Sequence, residues 1–298
     1  MDDRFPVWRE RLGRGAGLAV LLAVVVQVGC GREDEPRPNS GPASVSRRVA
    51  SLSPLATGLL LELDLADRIV AVDAESGELP GLGGRPKVPA TEEPGFLALT
   101  AVDPDLVVIP DSRAELAARL SAANIRTVIV AVHDFDDVFT LWGELAGRLG
   151  VAATARTRIS EASRPFAQLA AESYGFSRPR VAALESFEPL ALVGDHQFAT
   201  ALIEIAGGES VTHGGSDSAT PIDREGLRAL APELLVHVST RPIAESERRA
   251  LADALAEIAP LVVVELDPSR FHAAEAVEAA RSLRKAIAAR ARPVAETP

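Results

Sequence analysis

The sequence predicts an α/β protein of two lobes joined by a helical connector. Three observations support this fold class: short apolar runs alternate with amphipathic stretches, the alternation occurs twice along the chain, and a long helical stretch separates the two series. The 298 residues, 47% of them hydrophobic, are enough for two lobes that each bury a core. The formal net charge of −11 argues against a nucleic-acid partner, because phosphate binding needs a basic surface.

The first lobe is expected at residues 48–133. Its predicted strands are 48–52, 69–72, 106–109 and 127–130, and its predicted helices are 56–63 and 114–123. Ser112 is expected to cap the second of these helices, because a serine side chain accepts hydrogen bonds from the free amides of a first helical turn. Strands that alternate with helices in this way indicate a parallel sheet.

The connector is expected at residues 134–176, with helices at 134–149 and 151–174. At about 1.5 Å per residue, the second helix would span about 35 Å, which is enough to cross between two lobes. Pro165 lies inside it. A proline in a helix interior costs about 3 kcal/mol and usually kinks the helix, so two shorter helices are the alternative.

The second lobe is expected at residues 177–298. Its predicted strands are 180–184, 191–193, 233–238 and 261–266, and its predicted helices are 198–205, 225–230, 246–256 and 273–289. Gly207 fits the left-handed residue that commonly ends a helix.

Residues 1–30 have the pattern of an export signal. Four arginines precede an apolar run at 16–28 that is short for a membrane span, and the run is followed by Cys30, the single cysteine of the chain. This arrangement resembles the lipobox of bacterial lipoproteins, in which Cys30 would be lipidated and become the mature N-terminus. Gln27 stands where an aliphatic residue is usual, and an uncleaved signal anchor or a free thiol are the alternatives. Residues 31–47 are rich in proline, glycine, serine and charge, which predicts a flexible linker.

Several motifs along the rest of the chain resemble those of a known family. They are RVASLSPLAT at 48–57, LDLADRIVAV at 63–72, LTAVDPDLVV at 99–108, IAGG at 205–208 and LAPELLV at 230–236. In this order and spacing they resemble the solute-binding proteins of ABC importers for cobalamin, haem and ferric siderophores. The resemblance implies two Rossmann-like lobes joined by a long helix, with a ligand cleft between the lobes. It also implies an exported, lipid-anchored receptor of the periplasm or cell envelope, monomeric, without cofactor, resident metal or enzymatic activity.

Ligand-binding residues are expected in the loops at the carboxyl ends of the strands, which is where open α/β sheets bind ligands. They are Ser53, Pro54, Asp73, Glu75, Thr91, Asp111, Phe187, His196, Phe198, Arg241 and Arg270. Thr91 stands about where the family has an aromatic residue, which disfavours a large planar ligand. The expected ligand is a small molecule: an iron chelate, haem or a corrinoid.

Docking on the permease is also implied by the resemblance, because members of the family present one carboxylate per lobe to arginines of the permease. Glu225 falls on the matching position of the second lobe. In the first lobe the matching residue is Leu97, so Glu92 or Glu93 nearby is expected to substitute.

Other functions stay open at this point. A divalent-metal receptor on the same scaffold would use histidines near the predicted cleft loops, namely His133, His196 and His272. A structural or signalling lipoprotein with a degenerate cleft would account for Leu97 and Thr91. A hydrolase is disfavoured because the sequence has no G-x-S-x-G elbow, and His237 is expected to be a structural residue of a strand.

Overall fold

A four-stranded sheet organises the first lobe in the computed structural model, which describes residues 45–270 and 272–293. Its strands are β1 (Val49–Ser51), β2 (Ile69–Val72), β3 (Leu106–Pro110) and β4 (Thr127–Val130). All are parallel, in the order β2-β1-β3-β4, as the alternating pattern predicts. The expected signal peptide with Cys30, and the linker up to residue 44, lie outside the described residues.

Three helices belong to this lobe. They are α1 (Pro54–Glu62), α2 (Glu92–Val102) and α3 (Ala114–Ala122). Helix α2 was not predicted, because the pair Pro94-Gly95 is typical of a turn. Pro94 lies in the first helical turn, where backbone N–H groups have no partner within the helix, so its ring removes no hydrogen bond. Leu99 of α2 packs with Leu116 and Leu120 of α3 in the core.

The helix caps follow the sequence in one case and depart from it in another. The predicted cap of α3 by Ser112 is wrong, because Asp111–Arg113 form a short 3-10 turn that places Arg113 at the cap position. Helix α4 (Phe135–Arg148) is capped by Asp134, whose carboxylate accepts hydrogen bonds from two amides of the first turn at 3.0 and 3.1 Å.

Two helices connect the lobes. Helix α5 (Ala152–Ala171) continues through Pro165, so the alternative of two shorter helices is wrong. Its 20 residues span about 30 Å. Helix α4 packs against α1, and α5 packs against helices of the second lobe. The ring of Phe135 in α4 lies 5.0 Å from that of Phe166 in α5 and 5.1 Å from that of Phe198, so aromatic contacts join the two connector helices and fix the second lobe to them.

A separate six-stranded sheet organises the second lobe. Its strands are β5 (Arg180–Phe187), β6 (Leu190–Leu192), β7 (Glu209–Ser210), β8 (Thr220–Pro221), β9 (Leu234–Ser239) and β10 (Leu261–Glu265). The order is β10-β9-β5-β6-β8, with β7 paired to the start of β5. Strands β5, β9 and β10 are parallel, whereas β6 and β8 join antiparallel. Strands β7 and β8 were not predicted, because two residues are too few to show an alternating pattern.

The helices of the second lobe match the predicted ones to within one residue. They are α6 (Phe198–Ile205), α7 (Arg224–Ala229), α8 (Glu245–Leu255) and α9 (Ala273–Ala288). Gly207 follows α6 with a φ of +92°, the left-handed conformation predicted for it. The described residues from Ser46 onward form one compact unit, so the lobe limits at 133 and 177 stay predictions.

Candidate ligand-binding site

A pocket of about 490 Å³ opens at the carboxyl ends of β5 and β9. Its lining includes Leu184, Phe187, Val193, Phe198, His237, Ser239, Arg241, Ile243, Glu247, Leu251 and Pro268. These residues all belong to the second lobe. The turn Pro268–Arg270 beside the pocket packs against α1, so the pocket lies next to the first lobe. Its volume falls within the roughly 300–1,000 Å³ of small-molecule sites, which makes it the candidate ligand-binding site.

One ring nitrogen of His237 on β9 is held by a hydrogen bond to the backbone. Its Nδ1 lies 2.9 Å from the carbonyl oxygen of Leu184, and a carbonyl only accepts, so Nδ1 carries the hydrogen. In the neutral ring Nε2 is then a lone-pair donor. The ring of Phe187 packs edge-on against His237 at 4.9 Å and holds it in place. The sequence predicts a structural role for this histidine, and the hydrogen bond to Leu184 agrees with that role.

Arg241 and Glu247 place an ion pair on the pocket wall. The two side chains approach to 2.7 Å; that of Arg241 is largely exposed to solvent, whereas that of Glu247 is about half-exposed. The hydrogen bond from Arg241 holds the pKa of the Glu247 carboxyl below its usual value, and partial burial opposes this. The same bond raises the pKa of the guanidinium. The pocket therefore contains a permanent cation whose charge is already compensated by a neighbour.

The ligand residues predicted in the second lobe divide into two groups. Phe187, Phe198 and Arg241 line the pocket. His196 does not; its backbone has a φ of +52° and its Nδ1 lies 2.8 Å from a carboxylate oxygen of Asp217. The side chain of Arg270 lies outside the described part of the structure.

In the first lobe, the carboxyl end of β1 is filled by buried hydroxyl groups. The Oγ1 atom of Thr57 lies 2.7 Å from Oγ of Ser51 and 3.0 Å from Oγ of Ser76, and all three side chains are inaccessible to solvent. Ser53 caps α1 by accepting from an amide at 3.4 Å, and Asp73 accepts from the amide of Ser76 at 2.8 Å. The polar groups of these two predicted ligand residues thus stabilise local turns.

The remaining first-lobe ligand residues also do not line the pocket. Pro54 is the first residue of α1, and the side chains of Glu75, Thr91 and Asp111 are exposed. Their part in ligand binding stays a prediction.

The candidate docking carboxylates differ in their surroundings. Glu225 is exposed in the first turn of α7, and no ion-pair partner lies near it among the described residues. In the first lobe, Glu93 pairs with Arg119 at 2.7 Å and Glu92 lies 3.9 Å from the guanidinium of Arg113. The two first-lobe carboxylates therefore already have cations within their own chain.

Two α/β lobes with a pocket beside their boundary define a solute-binding protein, a class of receptors that perform no chemical reaction. The sequence profile of the periplasmic binding protein family matches residues 49–283, so the chain belongs to this family. Membership implies an exported, periplasmic protein. Among the described residues, no helix combines the length and the apolar character required to cross a membrane.

Solved structures share the fold at low sequence identity. A possible iron-binding periplasmic solute-binding protein from Staphylococcus epidermidis superposes with a TM-score of 0.66 at 15% identity, over 80% of this chain and 98% of that chain. A periplasmic haem-binding protein from Pseudomonas aeruginosa gives 0.62 at 18% identity, over 84% and 96%. The periplasmic vitamin B12-binding protein BtuF of Vibrio cholerae gives 0.59 at 14% identity, over 82% and 98%. The chain matches none of the curated proteins with which it was compared.

Proposed function

We propose that this protein captures an iron chelate, haem or a corrinoid in the pocket of the second lobe and delivers it to the permease of an ABC importer. The observation that carries the proposal is the composition of the pocket wall. Phe187 and Phe198 offer apolar surface, His237 offers a nitrogen lone pair and Arg241 offers a cation. This combination suits a ligand that has an apolar body, a metal centre and acidic groups.

The similar structures support the same ligand class, because they include a possible iron-binding protein, a haem-binding protein and a vitamin B12-binding protein. The proposal includes attachment to the membrane through a lipid on Cys30. The sequence pattern supports that attachment, and labelling with a radioactive or clickable fatty acid tests it, since Cys30→Ala should abolish the label.

The decisive experiment is a binding panel with the purified mature protein. Haem, cobalamin and ferric siderophores of the hydroxamate and catecholate classes are titrated while absorbance and thermal unfolding are followed. A ligand at one hundred times its dissociation constant adds about 2.7 kcal/mol to the free energy of unfolding. One ligand class should shift the melting temperature, and the shift should shrink in Phe187→Ala. Absence of any shift across the panel would favour a lipoprotein with a degenerate cleft.

A further inference from the structure

We infer that Asp195, Glu204 and His213 form a resident binding site for a divalent cation, with Zn²⁺ as the best match. The site goes beyond the proposed transport function and beyond the sequence analysis, which considered His133, His196 and His272 as metal ligands.

The three side chains converge from separate elements of the second lobe. Asp195 follows β6, Glu204 belongs to α6, and His213 lies in the turn after β7. One ligand atom from each lies within 4.8 Å of the others, and His213 Nδ1 is 3.0 Å from Glu204 Oε1. Ligand atoms in a tetrahedral zinc site are about 3.4 Å apart, because each lies about 2.1 Å from the metal. Side-chain adjustments of about 1 Å therefore suffice to close the site.

Burial distinguishes this cluster from a solvated ion pair. The side chain of Glu204 is 8% exposed and that of Asp195 is 4% exposed. Two carboxylates brought together away from water are costly unless positive charge compensates them. A divalent cation would compensate both carboxylates.

The neighbouring backbone already orients Asp195 as a metal ligand requires. Its two oxygens accept hydrogen bonds from the amides of His196 at 2.9 Å and Gly214 at 2.8 Å. Its own amide donates to the carbonyl of Ser216 at 2.7 Å. The two segments lie so close that a Cβ at Gly194 would clash with the backbone of residue 217. Such outer contacts hold metal ligands in position.

The donor set selects the class of cation. One imidazole nitrogen and two carboxylate oxygens suit Zn²⁺, whereas Ca²⁺ and Mg²⁺ prefer sites made of oxygen alone. His213 is 66% exposed, so the site opens to solvent and leaves room for a water molecule as fourth ligand. None of the three residues lines the ligand pocket, although Gln197 and Phe198 on the adjoining segment do. The cation would thus hold the loop 211–219 against helix α6, behind one wall of the pocket.

The test uses a matched pair of exposed histidines. The purified protein is freed of metal with a chelator and titrated with zinc chloride, using a zinc-sensitive dye as competitor. We expect one zinc ion per chain, affinity reduced about tenfold or more in His213→Ala and Glu204→Gln, and unchanged affinity in His133→Ala. Zinc should raise the melting temperature of the wild-type protein and not that of His213→Ala. This variant should fold, because the replaced side chain is exposed.

Equal zinc affinity in the wild-type protein and His213→Ala would overturn the inference, as would competition by calcium at the same concentration as zinc. The organic-ligand panel keeps this result separate from the transport proposal. If the cation is resident, His213→Ala should still bind the ligand of the pocket. If the protein binds zinc and none of the organic ligands, the proposed transport function is wrong and the metal site remains supported.

Discussion

Arg241 and Glu247 meet at the ligand pocket in a two-pronged ion pair. Nη2 of the arginine lies 2.7 Å from Oε1 of the glutamate, and Nη1 lies 3.3 Å from Oε2. Both residues line the pocket. An acidic ligand that approaches Arg241 therefore competes with Glu247 for the same planar set of N–H donors.

Replacing this glutamate should strengthen the binding of acidic ligands. In Glu247→Gln the guanidinium of Arg241 keeps its charge and loses its compensating partner. We expect about two- to fivefold tighter binding of an anionic chelate, the scale of exposed ion pairs, and weaker binding in Arg241→Ala. Fluorescence or absorbance titration measures both. Glu245→Gln, two residues earlier in the first turn of the same helix, is the control and should leave the affinity unchanged. Identical curves for all variants would show that Arg241 does not contact the ligand.

The ion pair between Arg241 and Glu247 should make a small contribution to stability that is lost at acidic pH. The folded pKa of Glu247 is lowered, chiefly by the hydrogen bond from Arg241. The pair therefore stabilises the protein above the unfolded pKa of the carboxyl, and this contribution is lost as the pH falls through the lower folded value. The difference in melting temperature between wild type and Glu247→Gln should be present at pH 7, absent near pH 2 and smaller in high salt. A difference that grows toward low pH would contradict the assignment.

His237 should show separable structural and binding roles. His237→Ala removes both the hydrogen bond to Leu184 and the free Nε2 atom, whereas His237→Asn retains a donor near the position of Nδ1. We expect His237→Ala to lose about 1 kcal/mol of unfolding free energy and His237→Asn to lose less. Both should bind a haem or iron ligand more weakly, with a changed absorbance spectrum. An unaltered spectrum and affinity in His237→Asn would exclude ligation by Nε2.

Apart from the two-residue strands β7 and β8, the sheet strands were predictable because their apolar runs are flanked by turn residues and recur between helices. Helix α2 was not, because a proline and a glycine in its first turn mimic a turn signal although neither breaks a helix at that position. Pro165 left open the alternative of two shorter helices, and this alternative is wrong: α5 continues through the proline, supported by packing of Phe166 and Leu169 in the core. In both cases tertiary packing decided what local propensity left ambiguous.

The candidate site was predictable only where the strand ends supplied side chains. Phe187, Phe198 and Arg241 could be placed from topology, since each follows or ends an element at the carboxyl edge of the sheet. The cluster of Asp195, Glu204 and His213 could not, because its members come together through the close approach of two loops beside helix α6. No periodicity in the sequence encodes such an approach.

The buried hydroxyl cluster of the first lobe should be necessary for stability. Thr57→Val preserves the shape of the side chain and leaves the hydroxyls of Ser51 and Ser76 without their shared partner. We expect a loss of about 1–3 kcal/mol in unfolding free energy by urea denaturation. Thr100→Val, an exposed threonine bonded to a carbonyl within its own helix, is the control and should change little. Equal losses of unfolding free energy in both variants would mean that the buried hydroxyl cluster contributes no more to stability than an exposed hydroxyl does.

Glu225 should affect delivery of the ligand to the permease and not binding of the ligand in the pocket. Its carboxylate is exposed at the start of α7 and lies apart from the pocket lining, so Glu225→Arg should leave ligand affinity unchanged. A rim charge of this kind sets the rate and register of association, so the reversal should lower uptake by cells and slow binding to the permease. Glu93→Arg is the informative comparison, because Glu93 already pairs with Arg119 and its reversal should affect uptake less.

Salt should weaken the binding of the wild-type protein to the permease and barely change that of Glu225→Arg. Normal uptake by Glu225→Arg, together with normal salt dependence, would remove this residue from the docking surface and direct the search to the exposed face of α2 around Leu97, which is 57% exposed.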